Sequence, residues 1–283
     1  MKRFWCVFFA FWPIVAVVLC AIAPRMGWWF PTTINPTGAA SSPLGRKIDD
    51  LFHLILIITT ITFVGTQIGL AYTLFTGAKR TDPGNTERAW FSHGSHNLEV
   101  IWSIVPAGIL LFIALYQMDV WAEYRIKSTF PVETRKGPIA EVMARQFEWR
   151  IRYPGLDENG KLLELMPDPQ PTDLYAVNEL HAPSARPVLI NLKSQDVQHS
   201  FFLPELRVKQ DAVPGLVIPV WFEADKSAKY TLLCAELCGW GHYKMKAHLV
   251  AENEEEFINY LKRLKADQSY HGPIAGAEGE EEN

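Results

Sequence analysis

The chain has 283 residues, room for one or two domains, and a formal net charge of −4. With a balance so close to neutral, nothing points to nucleic acid as a partner. Charged residues make up 20% of the chain, but they crowd into blocks outside three long apolar runs.

The first run, Phe4 to Ala23, follows Met1-Lys2-Arg3. A basic start and about twenty apolar residues fit either a signal sequence or a spanning helix. Ala21-Ile22-Ala23 could serve as a cleavage site, but the length of the run, its aromatic content and Pro13 favour a retained helix. Residues 1–24 are therefore read as a signal sequence or, preferably, an extra transmembrane helix. Bulky Leu19 before Cys20 argues against lipid attachment, and Cys6 and Cys20 read as buried apolar residues. Residues 25–50 read as an external loop.

The second run, Leu51 to Ala78, has no ionisable residue except His53 and Tyr72, and it can span with tilt. The third, Val100 to Met118, is uncharged, with Trp102 and Trp121 near its ends, where amphipathic rings favour the interface. Pro106 is tolerated there if neighbours satisfy the freed carbonyl. Residues 51–122 thus predict a transmembrane helical hairpin. Its joining loop carries Lys79, Arg80 and Arg88, and the positive-inside tendency puts that loop, with Lys2 and Arg3, in the cytoplasm. Everything after Trp121 then lies outside. Arg25, Arg46 and Lys47 in the outer loop run against this tendency.

From about Pro138 the pattern changes to short runs between Pro-, Gly- and Asp-rich turns: 140–153, 174–178, 188–192, 199–203, 217–224, 230–234 and 247–251. Such spacing predicts a β-sandwich or barrel over 138–266, long enough for one core. Residues 254–266 read as an amphipathic helix with Phe257, Tyr260, Leu261 and Leu264 on one face. Residues 267–283 read as a disordered acidic tail. The absence of Cys-x-x-Cys-His excludes a fused c-type haem domain.

The chemistry concentrates in Cys234-Ala-Glu-Leu-Cys-Gly-Trp-Gly-His-Tyr-Lys-Met245. Two thiols, an imidazole and a thioether are soft ligands that suit copper. His199, in Asp-Val-Gln-His-Ser, supplies a second imidazole. A zinc site of Cys234, Cys238, His199 and His242 is a rival, but the cysteines are separated by three residues rather than the usual two, and Met245 would have no role. A disulfide between Cys234 and Cys238 is the plainest reading, and it leaves both histidines and the methionine unexplained.

Cys-x-Glu-x-Cys-x-x-x-His-x-x-Met, preceded by Asp-Val-x-His-Ser and Asp-Ala-Val-Pro-Gly, resembles subunit II of the haem-copper cytochrome c oxidases, over about residues 45 to 262. The resemblance implies a membrane-anchored all-β protein, with transmembrane helices followed by a cupredoxin-like β-sandwich. It implies a binuclear copper A centre bridged by Cys234 and Cys238. His199 and His242 would each bind one of the two copper ions, with Met245 and the Glu236 carbonyl as axial ligands. The Glu236 side chain would reach a magnesium ion shared with subunit I. Glu99, which would otherwise be an ordinary acid at a helix N-terminus, would be a proton-entry carboxylate. Electrons would arrive from cytochrome c and pass to haem in subunit I, where oxygen is reduced to water and protons are moved. The expected location is a bacterial inner membrane, with the copper domain on its outer face. Lys209 and Asp211 match a family segment at the subunit I boundary, His248 just beyond the loop reads as a strand residue and not a ligand, and His53, His93, His96, His181 and His271 show no metal spacing. The copper domain of a nitrous oxide reductase, or a membrane-anchored copper carrier or sensor, are the alternatives.

One element departs from the family. Gln146-Phe-Glu-Trp149 resembles a Gln-Trp-x-Trp element whose first tryptophan is the electron-entry point, and here that position is Phe147. Arg150 and Arg152 stand where acids or neutral residues are commoner, leaving Asp157 and Asp196 as a diluted acidic patch. A donor steered by charge is therefore less expected than a haem c domain tethered to a partner.

Overall fold

In a computed structural model, which describes residues 2–79, 84, 86, 91 and 93–271, the three apolar runs are helices: α1 Lys2–Ile22, α2 Pro43–Lys79 and α3 His96–Tyr116. Each is long and apolar enough to cross a membrane. α2 starts at Pro43, well before the expected Leu51. The Ser42 hydroxyl accepts the Gly45 N–H at 2.9 Å, and proline suits the first helical position, where no N–H is needed. A short α4, Met118–Arg125, follows α3. Arg80 and Arg88, which support the cytoplasmic placement of the loop, lie outside the described residues.

The chain forms two compact units, Met1–Trp29 with Asp49–Asp119, and Phe30–Ile48 with everything from Val120 onward. The second unit is a β-sandwich. Its strands are β1 Ala140–Arg145, β2 Glu148–Tyr153, β3 Leu174–Val177, β4 Glu179–Pro183, β5 Val188–Ser194, β6 His199–Leu203, β7 Val208–Ala212, β8 Ile218–Phe222, β9 Ala228–Cys234 and β10 Lys246–Glu252. They form two sheets, β3-β2-β1-β5-β8 and β4-β10-β9-β6-β7. Alternating side chains from the strands, including Trp149, Ile151, Phe201, Leu203, Tyr230 and Leu249, close one buried core.

The expected run 140–153 is a hairpin, not one strand: it reverses at Gln146-Phe147 and β1 pairs antiparallel with β2. Two strands have no counterpart in the sequence reading. β7, Val-Lys-Gln-Asp-Ala, is an edge strand, where charged side chains are favoured and blur the apolar alternation. β4 carries Glu179 and His181, which mask it in the same way.

Residues 30–48 are not a free loop. The Ser41 N–H donates to the Glu205 carbonyl at 2.8 Å, Ser42 Oγ donates to the Leu206 carbonyl at 2.9 Å, and the Arg207 guanidinium lies over the Phe30 ring at 3.9 Å. Arg46 pairs with Asp225 and Lys47 with Glu123. The segment is a strap on the sandwich. α5, Glu254–His271, runs past its expected end at Ala266 because Gln268 Nε2 donates to the Tyr175 carbonyl on β3 at 2.9 Å. Residues 272–283 of the expected tail lie outside the described residues.

Candidate metal centre

The ligand loop is the connection between β9 and β10. Cys234 ends β9, and Met245 stands immediately before β10. The Cys234 N–H donates to the Met245 carbonyl at 3.2 Å, so the two residues face each other at the mouth of the hairpin. His199 opens the adjacent strand β6, where Phe201 pairs with Cys234. Three strand ends thus meet at one edge of the sandwich.

The donor atoms converge. Cys234 Sγ lies 3.9 Å from Cys238 Sγ, too far for a disulfide, and both thiols are free. His199 Nδ1 is 3.7 Å from Cys234 Sγ, and His242 Nδ1 is 3.6 Å from Cys238 Sγ. Met245 Sδ is 3.9 Å from Cys238 Sγ, and the Glu236 carbonyl is 3.2 Å from Cys234 Sγ. A sulfur–sulfur gap of 3.9 Å is shorter than two metal–thiolate bonds of about 2.3 Å each, the length found at zinc. One ion can therefore touch both sulfurs, and the gap admits an ion on either side. His199 is fully buried, Met245 is 1% exposed and both thiols are buried, so water is kept from these four donors, while His242 is half-buried.

Neighbouring groups hold these donors in place. Asp196 Oδ1 lies 2.8 Å from His199 Nε2, which leaves Nδ1 turned toward the sulfurs. The same carboxylate accepts the backbone N–H groups of Gln146 at 2.7 Å and Val197 at 2.6 Å. Burial works against its charge, but these contacts outweigh burial and hold Asp196 below the usual carboxylate range. Burial likewise opposes a charged His199, but Cys234 and Asp196 outweigh it and raise its pKa. The thiols divide. Burial opposes the Cys234 thiolate, yet His199 and nearby hydrogen bonds bring that thiol down to about 6. Burial and the adjacent Cys234 push Cys238 up to about 12. The pair sheds its first proton readily and its second reluctantly, so a metal that takes both thiolates must displace a proton.

Glycines let the hairpin β1–β2 close on this loop. A Cβ on Gly241 would fall 2.5 Å from the Phe147 ring, and one on Gly239, which holds φ at +132°, would fall 2.7 Å from Gln146 Nε2. Gln146 Nε2 donates to the Cys238 carbonyl. Phe147 therefore packs directly against the ligand loop, half-buried.

Comparison with known proteins agrees along the chain. Residues 142–252 match the model of the cytochrome c oxidase subunit II periplasmic domain, and residues 32–120 match that of its transmembrane domain. The chain belongs to the cytochrome c oxidase subunit II family. Among its relatives, the alternative cytochrome c oxidase subunit 2 of Bradyrhizobium diazoefficiens is 29% identical, covering 84% of this chain and 84% of its own length. Cytochrome c oxidase subunit 2 of a Synechocystis species is 26% identical over 88% of this chain and 81% of its own. The crystal structure of the periplasmic domain of subunit II of cytochrome oxidase from Bradyrhizobium japonicum aligns at a TM-score of 0.38 and 25% identity, over 45% of this chain and 93% of that one. This subunit II is thus part of a haem-copper oxidase, a membrane complex with partner subunits.

The remaining expected site residues fall elsewhere. Glu99 sits exposed in the first turn of α3, which Ser95 caps. The Glu236 side chain is half-buried and makes no hydrogen bond or ion pair among the described residues. Asp157, one of the two remaining acids, accepts the N–H groups of Asn159 and Lys161 within its own turn. Asp196, expected only as part of an acidic patch, instead orients His199. Its position three residues before a candidate ligand is the sequence signal for this contact.

Proposed function

We propose that this subunit II carries a binuclear copper A centre that receives electrons from a c-type cytochrome and relays them to haem in subunit I. The convergence of two thiols, two imidazoles, a thioether and a carbonyl on one small space carries this reading. When bound, the copper pair supplies reversible one-electron transfer. Cys234, Cys238, His199, His242, Met245 and the Glu236 carbonyl would hold the two ions. Buried Met245 argues for copper over zinc, since a thioether suits soft ions and a four-ligand zinc site has no use for it. Asp196 fixes the tautomer and angle of His199, Gln146 ties down the Cys238 carbonyl, and the core excludes water, so the ligands have little freedom to rearrange as charge changes.

The strap supports the proposed topology. It contacts the sandwich through Ser41, Ser42 and the Arg46–Asp225 ion pair, and α4 through Lys47–Glu123, which supports a reading with both on one side of the membrane. α2 and α3 would then be the two crossings between them. This removes the conflict that Arg46 and Lys47 posed for the positive-inside tendency, because both charges are engaged by the domain. We place the sandwich on the outer face of a bacterial inner membrane. Glu236 would meet magnesium at the subunit I boundary, as a hard carboxylate suits a hard cation, and Glu99 would admit protons.

The donor would be a haem c domain tethered to a partner. Arg145 and Arg150, on either side of Phe147, both pair with Glu148, at 3.0 and 2.8 Å, and both remaining acids are engaged internally. Little field is left to steer a basic cytochrome c. Turnover with the native donor should vary weakly with ionic strength, and a steep fall with added salt would contradict this. For the centre itself, the purified complex should hold two coppers in this chain with thiolate charge-transfer and near-infrared absorption. Zinc in their place, or absent near-infrared absorption, would refute it.

A further inference from the structure

We infer that Trp240 is the residue through which electrons enter the copper site, with Phe147 as its inner support. This rests on the copper reading above and refines it. Trp240 is 78% exposed and belongs to the ligand loop itself, two residues after Cys238 and two before His242. Its ring meets Phe147 edge-to-face, with centroids 5.3 Å apart at 68°, and Lys244 Nζ sits 4.5 Å over its face. Phe147 in turn presses on Gly239 and Gly241, the loop's two glycines. A donor approaching this corner meets the indole first, because Phe147 is half-buried beneath it. From the indole, the covalent chain reaches Cys238 in one direction and His242 in the other.

Other exposed residues of the loop lack this placement. Leu237 is 77% exposed but aliphatic, with no delocalised orbital to couple to a haem. Tyr243 is 73% exposed but shows no ring contact with Phe147 among the described residues. With the neighbouring arginines paired to Glu148, the exposed indole, with Lys244 over one face, presents an aromatic contact of the kind that dominates protein interfaces. A haem protein that docks by its apolar haem rim, not by a ring of lysines, is the partner that fits.

The test uses the purified oxidase complex carrying Trp240→Leu or Trp240→Phe. Oxygen uptake is driven by a basic and by a neutral soluble c-type cytochrome, each kept reduced by ascorbate. Trp240→Leu keeps apolar bulk at an exposed position, so copper content and the near-infrared band should be unchanged. Reduction of the centre by hexaammineruthenium(II), which needs no protein docking, should stay within about twofold, while kcat/KM for both cytochromes falls about tenfold or more, as for loss of an interface tryptophan. Trp240→Phe should recover part of the loss. Unchanged kcat/KM in both variants, with the spectrum intact, overturns the inference. So does a tenfold loss confined to Phe147→Leu, which would return entry to that residue. Loss of co-purifying haem subunit in both variants would make Trp240 an assembly contact and overturn it too. A wild-type complex without the copper spectrum refutes the copper reading itself, and with it this one.

Discussion

Two buried histidines in one sheet show what sets a candidate metal ligand apart. His199 on β6 is fully buried, and His181 on β4 is 5% exposed. Both meet carboxylates, but His181 meets two. Its Nδ1 lies 2.9 Å from Glu252 Oε1 and its Nε2 2.9 Å from Glu179 Oε1, while its ring stacks on Tyr260 with centroids 3.5 Å apart. Carboxylates only accept when ionised, so neither nitrogen of His181 is left for a metal. His199 commits one nitrogen to Asp196 and turns the other to the sulfurs. Burial alone does not distinguish them. What matters is whether one nitrogen remains free, and what it faces.

The strongest way to break the contrast is to remove the sulfurs. Cys234→Ser or Cys238→Ser should abolish the proposed two-copper centre, which needs both thiolates as ligands, while the chain still enters the membrane. Metal analysis and the near-infrared spectrum check this. Two coppers and an unchanged spectrum in either variant would show that the sulfurs are not both ligands.

The next test removes orientation and leaves every ligand. Asp196→Ala should lower copper affinity about 10- to 100-fold, the usual cost of losing a carboxylate behind a metal-bound imidazole. Competition with a chelator of known affinity measures it. An unchanged affinity would leave Asp196 as a turn residue that happens to touch His199.

Much of this was legible beforehand, and the reasons differ by region. The ligand loop could be read because four donor side chains, Cys234, Cys238, His242 and Met245, lie within twelve residues, where spacing alone signals a common site. His199 could be named from the sequence as a second imidazole, but its place beside Cys234 comes from strand pairing across β6 and β9, which no local spacing discloses. α1, α2 and α3 announced themselves by length and hydropathy. The strap did not, because its hold on the sandwich consists of backbone hydrogen bonds and ion pairs to residues far along the chain. β4 and β7 stayed hidden for a related reason: their polar side chains are satisfied by tertiary partners that no local pattern discloses.

His181 sharpens the comparison from its other side. His181→Phe keeps an aromatic ring for Tyr260 but removes both nitrogens. Glu252 already has one buried carboxylate oxygen without a partner, Oε2, and the change strands the other. A local loss of about 1–3 kcal/mol is expected for such a group. Amide hydrogen exchange of β4 and β10 in the full chain should quicken accordingly, and the copper spectrum should not change. Loss of copper in this variant would erase the distinction between the two histidines.

The smallest effect is its dependence on acidity. The hydrogen bond from His181 is the main influence on Glu179 and, despite some opposition from burial, holds its carboxyl below the ordinary value of 4.5, with Lys229 and His248 adding to the pull. A carboxyl depressed in the folded state stabilises the fold fully above its ordinary value and loses that contribution as pH falls through the depressed one. The Phe variant lacks the hydrogen bond, so its Glu179 should titrate nearer the ordinary value. The exchange difference between wild type and His181→Phe should then be greatest at neutral pH and begin to shrink below 4.5. Because the Glu179 side chain is 46% exposed, solvent screens the interaction and the change will be slight. Exchange rates corrected for the intrinsic effect of pH would show it. A difference that stays constant from neutral pH down to about 3, below the unperturbed carboxylate range, would mean that packing on Tyr260, and not the carboxylate pair, is what His181 contributes.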